Sequence, residues 1–522
     1  MTSRPRLLID RRQFVQTAAL LVGGAALGPL TGCNSEGFVI PCLGPAPPPV
    51  PVPGMTYIRA SEIGCALDCN LGNGRNLYTG GPATDDGPRI NAALAGATAD
   101  HPITLIIDGS ALISGLFLPA GGHWGIAGLG CGTGFFVKSG TNNDGIHNGP
   151  PDAAIPFDPG PPVPARGSNV TLSNFTVNGN QGNGFNGNST RGARQGVTGR
   201  VWYCGINLMN LDGITIENVV VVNTPAYHVR LSNVGQVTVS GCVLWSNGAN
   251  TDGLHFDGSA NDIRISRCDF RTGDDSIALN CPEGYSGDIS RVTVDNCTFH
   301  SVSLMRLYTT SGGAGHKIDS VTVSNCSGNL EVPAFLIGLA GGSRLNSIDA
   351  LTISDCTLAA PSILGVAENF GSIALRNVTF IPTAGLFAGF LAPAPPYDGV
   401  TGSDLSFQNC RISQSEGVAA VLGNGSVIGK VTFNSFSAQT SPLLLAIARG
   451  SIGQLVLDAV DSRNIVAATN DFACIGSVSG IGVLATGWQF PDGVMADGVP
   501  YISASTGLPS IKVNGVVQPY FP

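Results

Sequence analysis

The chain has 522 residues, of which only 12% are charged, and its formal net charge is -9 at neutral pH. This acidic balance, without clusters of lysine or arginine, argues against nucleic acid or an anionic membrane surface as a partner. The 72 glycines and the absence of long helix-forming stretches favour strands joined by tight turns over a helical protein.

The N-terminal residues have the features of an export signal. Arg11 and Arg12 precede an apolar stretch at 15–30 that is short and Gly-rich for a membrane anchor, and the pattern resembles a twin-arginine signal. The motif LTGC ends at Cys33 and resembles a lipobox, so we expect Cys33 to be lipidated; an ordinary signal peptide with an incidental cysteine is the alternative. Residues 34–54 are a Pro-rich tether. These features predict an exported, periplasmic or cell-surface lipoprotein that contacts the membrane only through its lipid.

A short helix is predicted next. The segment TDDGPRINAALAGATA begins near Asp85 and Asp86, has Pro88 in an early helical position, and continues with apolar Ile90 and Leu94. The stretch ITLIIDG then predicts a strand.

The middle of the chain repeats a unit of alternating apolar and polar residues, with successive cysteines 26, 29, 29 and 30 residues apart. Strands with this period and no intervening helices predict a solenoid. The form that fits is all-β, a right-handed parallel β-helix with coils about 4.8 Å apart, whose first coil the short helix would cap. One apolar position recurs in each unit: Phe175, Val219, Cys242, Cys268, Cys297, Cys326, Cys356, Val378 and Cys410.

The cysteines at this repeat position are expected to form an inward-facing ladder of small apolar side chains. Cys65 and Cys69, with Cys42 as a further candidate, lie outside the repeat and could form a disulfide bridge. No cysteine or histidine pair has the spacing of a zinc site, so no metal is expected. The predicted organisation is a signal at 1–33, the tether at 34–54, the β-helix at 55–505 and C-terminal capping strands at 506–522.

Two neighbouring coils carry acidic residues at corresponding places. NTDG contains Asp252, and GDD contains Asp274 and Asp275 one coil later. Asp252 and Asp274 are 22 residues apart, so stacked coils would hold their carboxylates roughly 5 to 9 Å apart, within the range used in glycoside hydrolysis. Clustered carboxylates raise at least one pKa and can supply an acid and a base together. Solvated solenoid turns are the alternative interpretation.

NTDG followed one coil later by GDD, together with TPAYHVRLSNVGQVTVSGC before it, resembles glycoside hydrolase family 28, the polygalacturonases, within the pectate-lyase-like right-handed β-helix superfamily. The resemblance is strongest over residues 200–330. It implies hydrolysis by single displacement with inversion. Asp274 would be the general acid, and Asp252 and Asp275 would hold and deprotonate the attacking water.

The substrate groove is expected to continue over the neighbouring strands. The family's Gly-His-Gly motif falls at SVSLMRLYTT, where Ser303 aligns with the histidine, and its Arg-Ile-Lys motif has no counterpart that we find. Arg306 is the candidate to take over charge stabilisation or substrate binding. The residues expected to bind substrate are Asn250, His228, His255, Arg306 and Tyr308.

The sequence therefore predicts a monomeric exported glycoside hydrolase, without cofactor, that acts on a polysaccharide or oligosaccharide such as pectin or another plant or microbial glycan. One alternative is a polysaccharide lyase on the same fold, with Ca²⁺ held by the acids and an arginine or lysine as base. The other is a carbohydrate-binding β-helix without catalysis.

Overall fold

The computed structural model describes residues 44–521 except 131, 151–163, 183–188, 191–202, 282–284, 286, 310–315, 339–346, 384–387, 394–398, 414–416, 423–424 and 448–449. The predicted signal, Cys33 and the first part of the tether lie outside the described residues. Within the described ranges, no helix is long and apolar enough to cross a membrane.

Stacked parallel strands form the body of the molecule. Two ladders share three long strands, Ile206–Glu217, Val229–Ser240 and Leu254–Ser266, and together they make a sheet of 25 described strands. The other strands of this sheet are Thr56–Arg59, Ile103–Ile107, Leu116–Leu118, Gly122–Gly128, Ile146–Asn148, Gly167–Ser173, Asp275–Cys281, Ile289–Asp295, Ser303–Thr309, Lys317–Ser324, Phe335–Ile337, Ser347–Ser354, Leu364–Val366, Phe370–Arg376, Ala388–Pro393, Thr401–Gln408, Gly417–Leu422, Val427–Asn434, Ser441–Ile447, Ser451–Asp458, Ile465–Thr469 and Ile475–Ser479.

A second parallel sheet of 12 described strands completes each coil. Its strands are Ser110–Ile113, Gly134–Val137, Thr176–Asn178, Val220–Val222, Val243–Trp245, Asp269–Arg271, Thr298–Ser301, Ser327–Leu330, Thr357–Ala360, Thr379–Pro382, Arg411–Ile412 and Ser437–Ala438. Because strands one coil apart pair in parallel along the whole stack, the prediction of an all-β parallel β-helix is confirmed, with about 11 turns.

The repeat places a left-handed turn residue before each inward-facing cysteine or its equivalent. Asn296, for example, has φ 53° and precedes Cys297, which is 2% exposed and lies in the core. Asparagine tolerates this conformation better than most residues, and its side chain also bonds to the turn of the next coil, as Asn409 does to Asn377 at 2.9 Å. The predicted cysteine ladder is therefore confirmed, and its members are free thiols.

The disulfide prediction for Cys65 and Cys69 is wrong. Both are buried free thiols in separate hydrophobic clusters: Cys65 lies in the main core, and Cys69 packs with Leu71 and Phe136. Burial rather than pairing explains why these two cysteines stand outside the repeat.

The described residues contain one α-helix, Gly87–Leu94, with a proline in its first turn. Ile90 and Leu94 are fully buried in the core, next to the first strands of the stack. Its role as a cap stays a prediction.

Short elements follow the last coils. They are the 3₁₀ turns Ser462–Asn464, Phe472–Cys474, Leu484–Thr486 and Asp492–Val494, and a four-stranded sheet of Gln489–Phe490, Pro500–Ser503, Pro509–Val513 and Val516–Pro519. The last two strands pair as an antiparallel hairpin. A two-stranded pair, Gln181–Gly182 with Ser189–Thr190, lies in the long polar segment between two coils. In the described part of the tether, the Ala46 amide donates to the Leu129 carbonyl at 3.0 Å, so the chain already contacts the first coils there.

Candidate active site

The two acidic motifs meet because their coils stack directly. Leu254 pairs with Ile277, a spacing of 23 residues, and the Gly253 amide donates to the Asp275 carbonyl at 3.0 Å. Asp252 therefore lies beside Asp275 rather than beside Asp274, as the spacing of 22 had suggested. Asp274 sits one residue earlier, in the turn that enters the strand Asp275–Cys281.

Asp252, Asp274 and Asp275 form one cluster, in which each contributes a carboxylate oxygen that lies within 4.8 Å of the others. This is closer than the roughly 5 to 9 Å expected from coil stacking. Asp252 and Asp275 are almost fully buried, while Asp274 is partly exposed. The cluster therefore presents Asp274 to solvent and keeps the other two behind it.

Asp274 is held by the backbone of the neighbouring turn. The Asn250 amide donates to its Oδ2 at 2.9 Å, and Asn250 has φ 56°, a left-handed conformation that asparagine tolerates. Burial and then repulsion from Asp275 raise the pKa of Asp274 above its ordinary value. Asp274 forms no ion pair within the described part of the chain, unlike its two neighbours.

Asp275 is paired with Arg306 on the following coil. Its two oxygens accept from the Ser303 hydroxyl and from Arg306 Nε, each at 2.5 Å. Burial lowers the pKa of Arg306, but the charge and hydrogen bond of Asp275 outweigh it, so that pKa lies above its ordinary value. Arg306 and Tyr308 are both half-buried on this strand, between the buried core residues Met305 and Leu307.

Asp252 is bonded to a histidine of its own strand. His255 Nδ1 lies 2.7 Å from Asp252 Oδ2, and His255 Nε2 lies 3.0 Å from Asp257 Oδ1. Burial raises the pKa of Asp252 to about 7, against the hydrogen bond and charge of His255, which lower it. His255 is 1% exposed, so it lies behind the carboxylate, which differs from the substrate contact predicted for it.

Asp257 is held as a carboxylate by Arg230. Arg230 Nε donates to Asp257 Oδ2 at 2.7 Å, and the Ser232 hydroxyl donates to the same oxygen. Burial would raise the pKa of Asp257, but Arg230 and the hydrogen bonds lower it to about 2. All three side chains are fully buried.

His228 is also buried rather than set in the groove. Its Nδ1 lies 2.8 Å from the Asp252 carbonyl, and its Nε2 has no hydrogen-bond partner among the described residues. Burial lowers its pKa to about 4, so the ring is neutral at neutral pH and Nδ1 donates to the carbonyl. In this structure His228 supports the backbone of Asp252 instead of facing a substrate.

Sequence reasoning missed Arg230, Ser232, Asp257 and the ring of Tyr227, which stacks on His255 at 3.8 Å. The signal for three of them was strand alternation. Arg230 and Ser232 are two residues apart, as are His255 and Asp257, so each pair lies on the face opposite to the core, and the register places Arg230 beside His255 and Ser232 beside Asp257.

The geometry allows two groups of potential metal ligands among the described residues: the three aspartates, and Cys281 with Asp288 and His316. Each aspartate already has a protein donor on a carboxylate oxygen, namely His255, the Asn250 amide or Arg306. Cys281 Sγ donates to the Gly287 carbonyl at 2.9 Å, and burial raises its pKa, which disfavours the thiolate that a metal needs. We assign no metal to either group.

Comparison with known proteins places these residues in a familiar setting. Residues 163–330, which contain all three aspartates, match the model described as Glycosyl hydrolases family 28. An endo-polygalacturonase of Sclerotinia sclerotiorum is 25% identical over 294 residues, which are 53% of this chain and 69% of that protein. A polygalacturonase of Penicillium griseoroseum is 26% identical over 216 residues, 40% of this chain and about half, 54%, of that protein.

Among solved structures, the family 28 exopolygalacturonase of Yersinia enterocolitica aligns with a TM-score of 0.49 and 11% identity, covering 76% of this chain and 78% of that one. The family match and the curated relatives indicate a glycoside hydrolase. The resemblance to the polygalacturonase-like family of right-handed β-helix proteins, predicted from NTDG and GDD, is confirmed.

Proposed function

We propose that this protein hydrolyses glycosidic bonds of a polysaccharide or oligosaccharide, pectin-like or another plant or microbial glycan. The observation that carries the proposal is the cluster of three carboxylates within 4.8 Å, of which two have cationic or imidazole partners and one has none among the described residues. Such unequal surroundings separate an acid from a base.

Asp274 is the general acid in this proposal. Its raised pKa keeps a proton on the carboxyl group, and its partial exposure lets it reach the leaving glycosidic oxygen. Asp252 and Asp275 hold the attacking water, and Asp252 takes a proton from it. Arg306 fixes the Asp275 carboxylate, and the exposed fifth of its side chain can also contact a bound sugar, as can Tyr308.

Inversion is proposed from the family resemblance and not from the spacing. Oxygen-to-oxygen distances within 4.8 Å are nearer to the roughly 5 Å of retaining enzymes than to the 6.5 Å or more usual for inversion. The anomer released first therefore has to be observed, by proton NMR within seconds of cleavage.

We further propose export as a lipoprotein through Cys33, action at the periplasmic or outer cell surface, and a monomeric protein whose first coil is capped by Gly87–Leu94. The supporting features are the twin arginines, the LTGC motif and the Pro-rich tether. Labelling with a fatty-acid probe, with Cys33→Ala as the comparison, tests the anchor.

A lyase is less well supported. Elimination needs a base that is uncharged at working pH, whereas Asp275 raises the pKa of Arg306 above its ordinary value. The candidate base is therefore a cation paired with a carboxylate.

The test is incubation of the protein with a panel of acidic and neutral polysaccharides. Hydrolysis gives new reducing ends, no unsaturated sugar that absorbs ultraviolet light, and the same rate in the presence of EDTA. An unsaturated, EDTA-sensitive product would replace the proposal with elimination, and binding without any cleavage would replace it with a carbohydrate-binding role.

A further inference from the structure

Both ring nitrogens of His255 face carboxylate oxygens. The distances are 2.7 Å from Nδ1 to Asp252 and 3.0 Å from Nε2 to Asp257. A nitrogen lone pair and a carboxylate oxygen repel each other at such a distance, so each contact contains one proton. Asp257 is ionised beside Arg230, and the proton of its contact therefore sits on His255 Nε2.

The second proton lies between His255 Nδ1 and Asp252. Two observations favour the nitrogen. The ring lies flat on Tyr227, with centroids 3.8 Å apart and planes at 9°, an arrangement that stabilises a cation over an aromatic face. A charged His255 also balances the buried cluster, because Arg230 already neutralises Asp257 and Asp252 otherwise has no counter-charge of its own.

The charged and titratable groups around the ring come from every neighbouring element. On one side the register partner of His255 is Arg230, and on the other it is Ala278, beyond which Arg306 follows in register. The groups that face His255 or its two carboxylates are Asp252, Asp257, Arg230, Tyr227, His228, Asp274, Asp275 and Arg306.

We propose that His255 is a buried imidazolium that bridges Asp252 and Asp257, and that it keeps the Asp252 carboxylate ionised and oriented for the attacking water. His255 touches no substrate and is a positioning residue. The inference deepens the proposed hydrolysis and rests on it for the catalytic consequence. The proton arrangement itself stands on the geometry alone.

The proton balance of the reaction is simple. The free oxygen of Asp252 takes one proton from water as the hydroxide oxygen bonds to the sugar carbon. Asp274 gives its proton to the leaving oxygen as the glycosidic bond breaks. The proton on Asp252 then passes to solvent, Asp274 is reprotonated from solvent, and His255 keeps both of its protons throughout.

The first arm of the test needs no activity. In protein labelled with ¹⁵N-histidine, the His255 signals are identified by their loss in His255→Asn. At pH 7.5 both ring nitrogens of His255 should carry protons, whereas exposed His101 should have lost one. In Asp252→Asn, His255 should become neutral at the same pH. A neutral ring in the unmodified protein from pH 5.5 to 7.5 would overturn the proposal.

The second arm uses the pH dependence of cleavage. Asn at position 255 keeps a donor near Asp252 but carries no charge, so the base should ionise only at higher pH. His255→Asn should lower kcat about 100-fold at pH 6, change KM less than about threefold, and move the acidic limb of kcat/KM up by about one pH unit. His101→Asn is the control.

The two arms separate the possible failures. If the unmodified protein cleaves no glycan, the proposed function fails and the NMR arm still decides where the proton lies. If it cleaves a glycan and His255→Asn keeps the original pH profile, the positioning role is wrong. If His255→Asn unfolds, the NMR signals of the unmodified protein still decide.

Discussion

At the residue scale, the three aspartates share their chemistry and differ in their partners. Asp275 faces Arg306, Asp252 faces His255, and Asp274 accepts only backbone hydrogen bonds within the described part of the chain. A carboxyl group without a counter-charge keeps its proton more readily, so the structure distinguishes an acid from a base among identical side chains.

A fourth carboxyl group, Glu368, is buried away from this cluster. It is 1% exposed, accepts from the Thr309 hydroxyl through Oε2, and has no partner for Oε1 among the described residues. Burial raises its pKa to about 7 against the Thr309 hydrogen bond, which lowers it. The unfolded chain releases this proton near pH 4.5, so stability is fully present below that pH and falls as pH rises to about 7 and above.

Glu368→Gln should therefore become more stable than the unmodified protein at pH 8, by up to about 3 kcal/mol, and should match it near pH 4. The amide can still accept the Thr309 hydrogen bond and has no proton to lose. Urea unfolding at the two pH values measures the difference, with the exposed Glu331→Gln as control. A stability change that is the same at both pH values would contradict this explanation.

At the element scale, the site depends on how closely two turns approach. A Cβ at Gly273 would lie 2.0 Å from the Gly248 amide nitrogen and 2.6 Å from its carbonyl oxygen, so only glycine fits there. Gly248 lies two residues before Asn250, whose amide holds Asp274. The contact between the turns thus sets the place of the general acid.

Gly273→Ala should force these turns apart and move Asp274 relative to the other carboxylates. We expect activity to fall about 100-fold and stability by about 1 to 3 kcal/mol, because displacements near 1 Å are enough to impair catalysis. Hydrolysis rates and urea unfolding measure the two effects. Gly121→Ala, where no atom lies within 4 Å of the added Cβ, should leave both unchanged. Equal activity in the two variants would contradict the positioning role of the turn.

At the scale of the whole molecule, the sequence predicts the solenoid well because each coil repeats the same local pattern. Alternation fixes the inward face, and the residue before Cys297 and its equivalents marks the turn. Coil stacking then brings Asp252 to Asp275 without any further assumption. The difference of one residue in register arises because the turn before Asp275 is longer than the counted spacing implies.

Partners across coils could not be read in the same way. His228 and His255 carry no local sign of whether they face solvent or lie behind a carboxylate, and the structure buries both. Arg230 and Asp257 sit on the same face of neighbouring strands, but their pairing depends on the register. Cys65 and Cys69 likewise fill separate hydrophobic clusters, which no cysteine spacing indicates.

The central claim is that Asp274 protonates the leaving group in a hydrolysis reaction. The most direct measurement is the rate of reducing-end release from a cleaved glycan by the unmodified protein, by Asp274→Asn and by Asp100→Asn, an exposed aspartate outside the site. Asp274→Asn should lose about 1000-fold in kcat while its unfolding midpoint stays unchanged, and Asp100→Asn should retain full activity. Full activity in a folded Asp274→Asn protein would contradict the account.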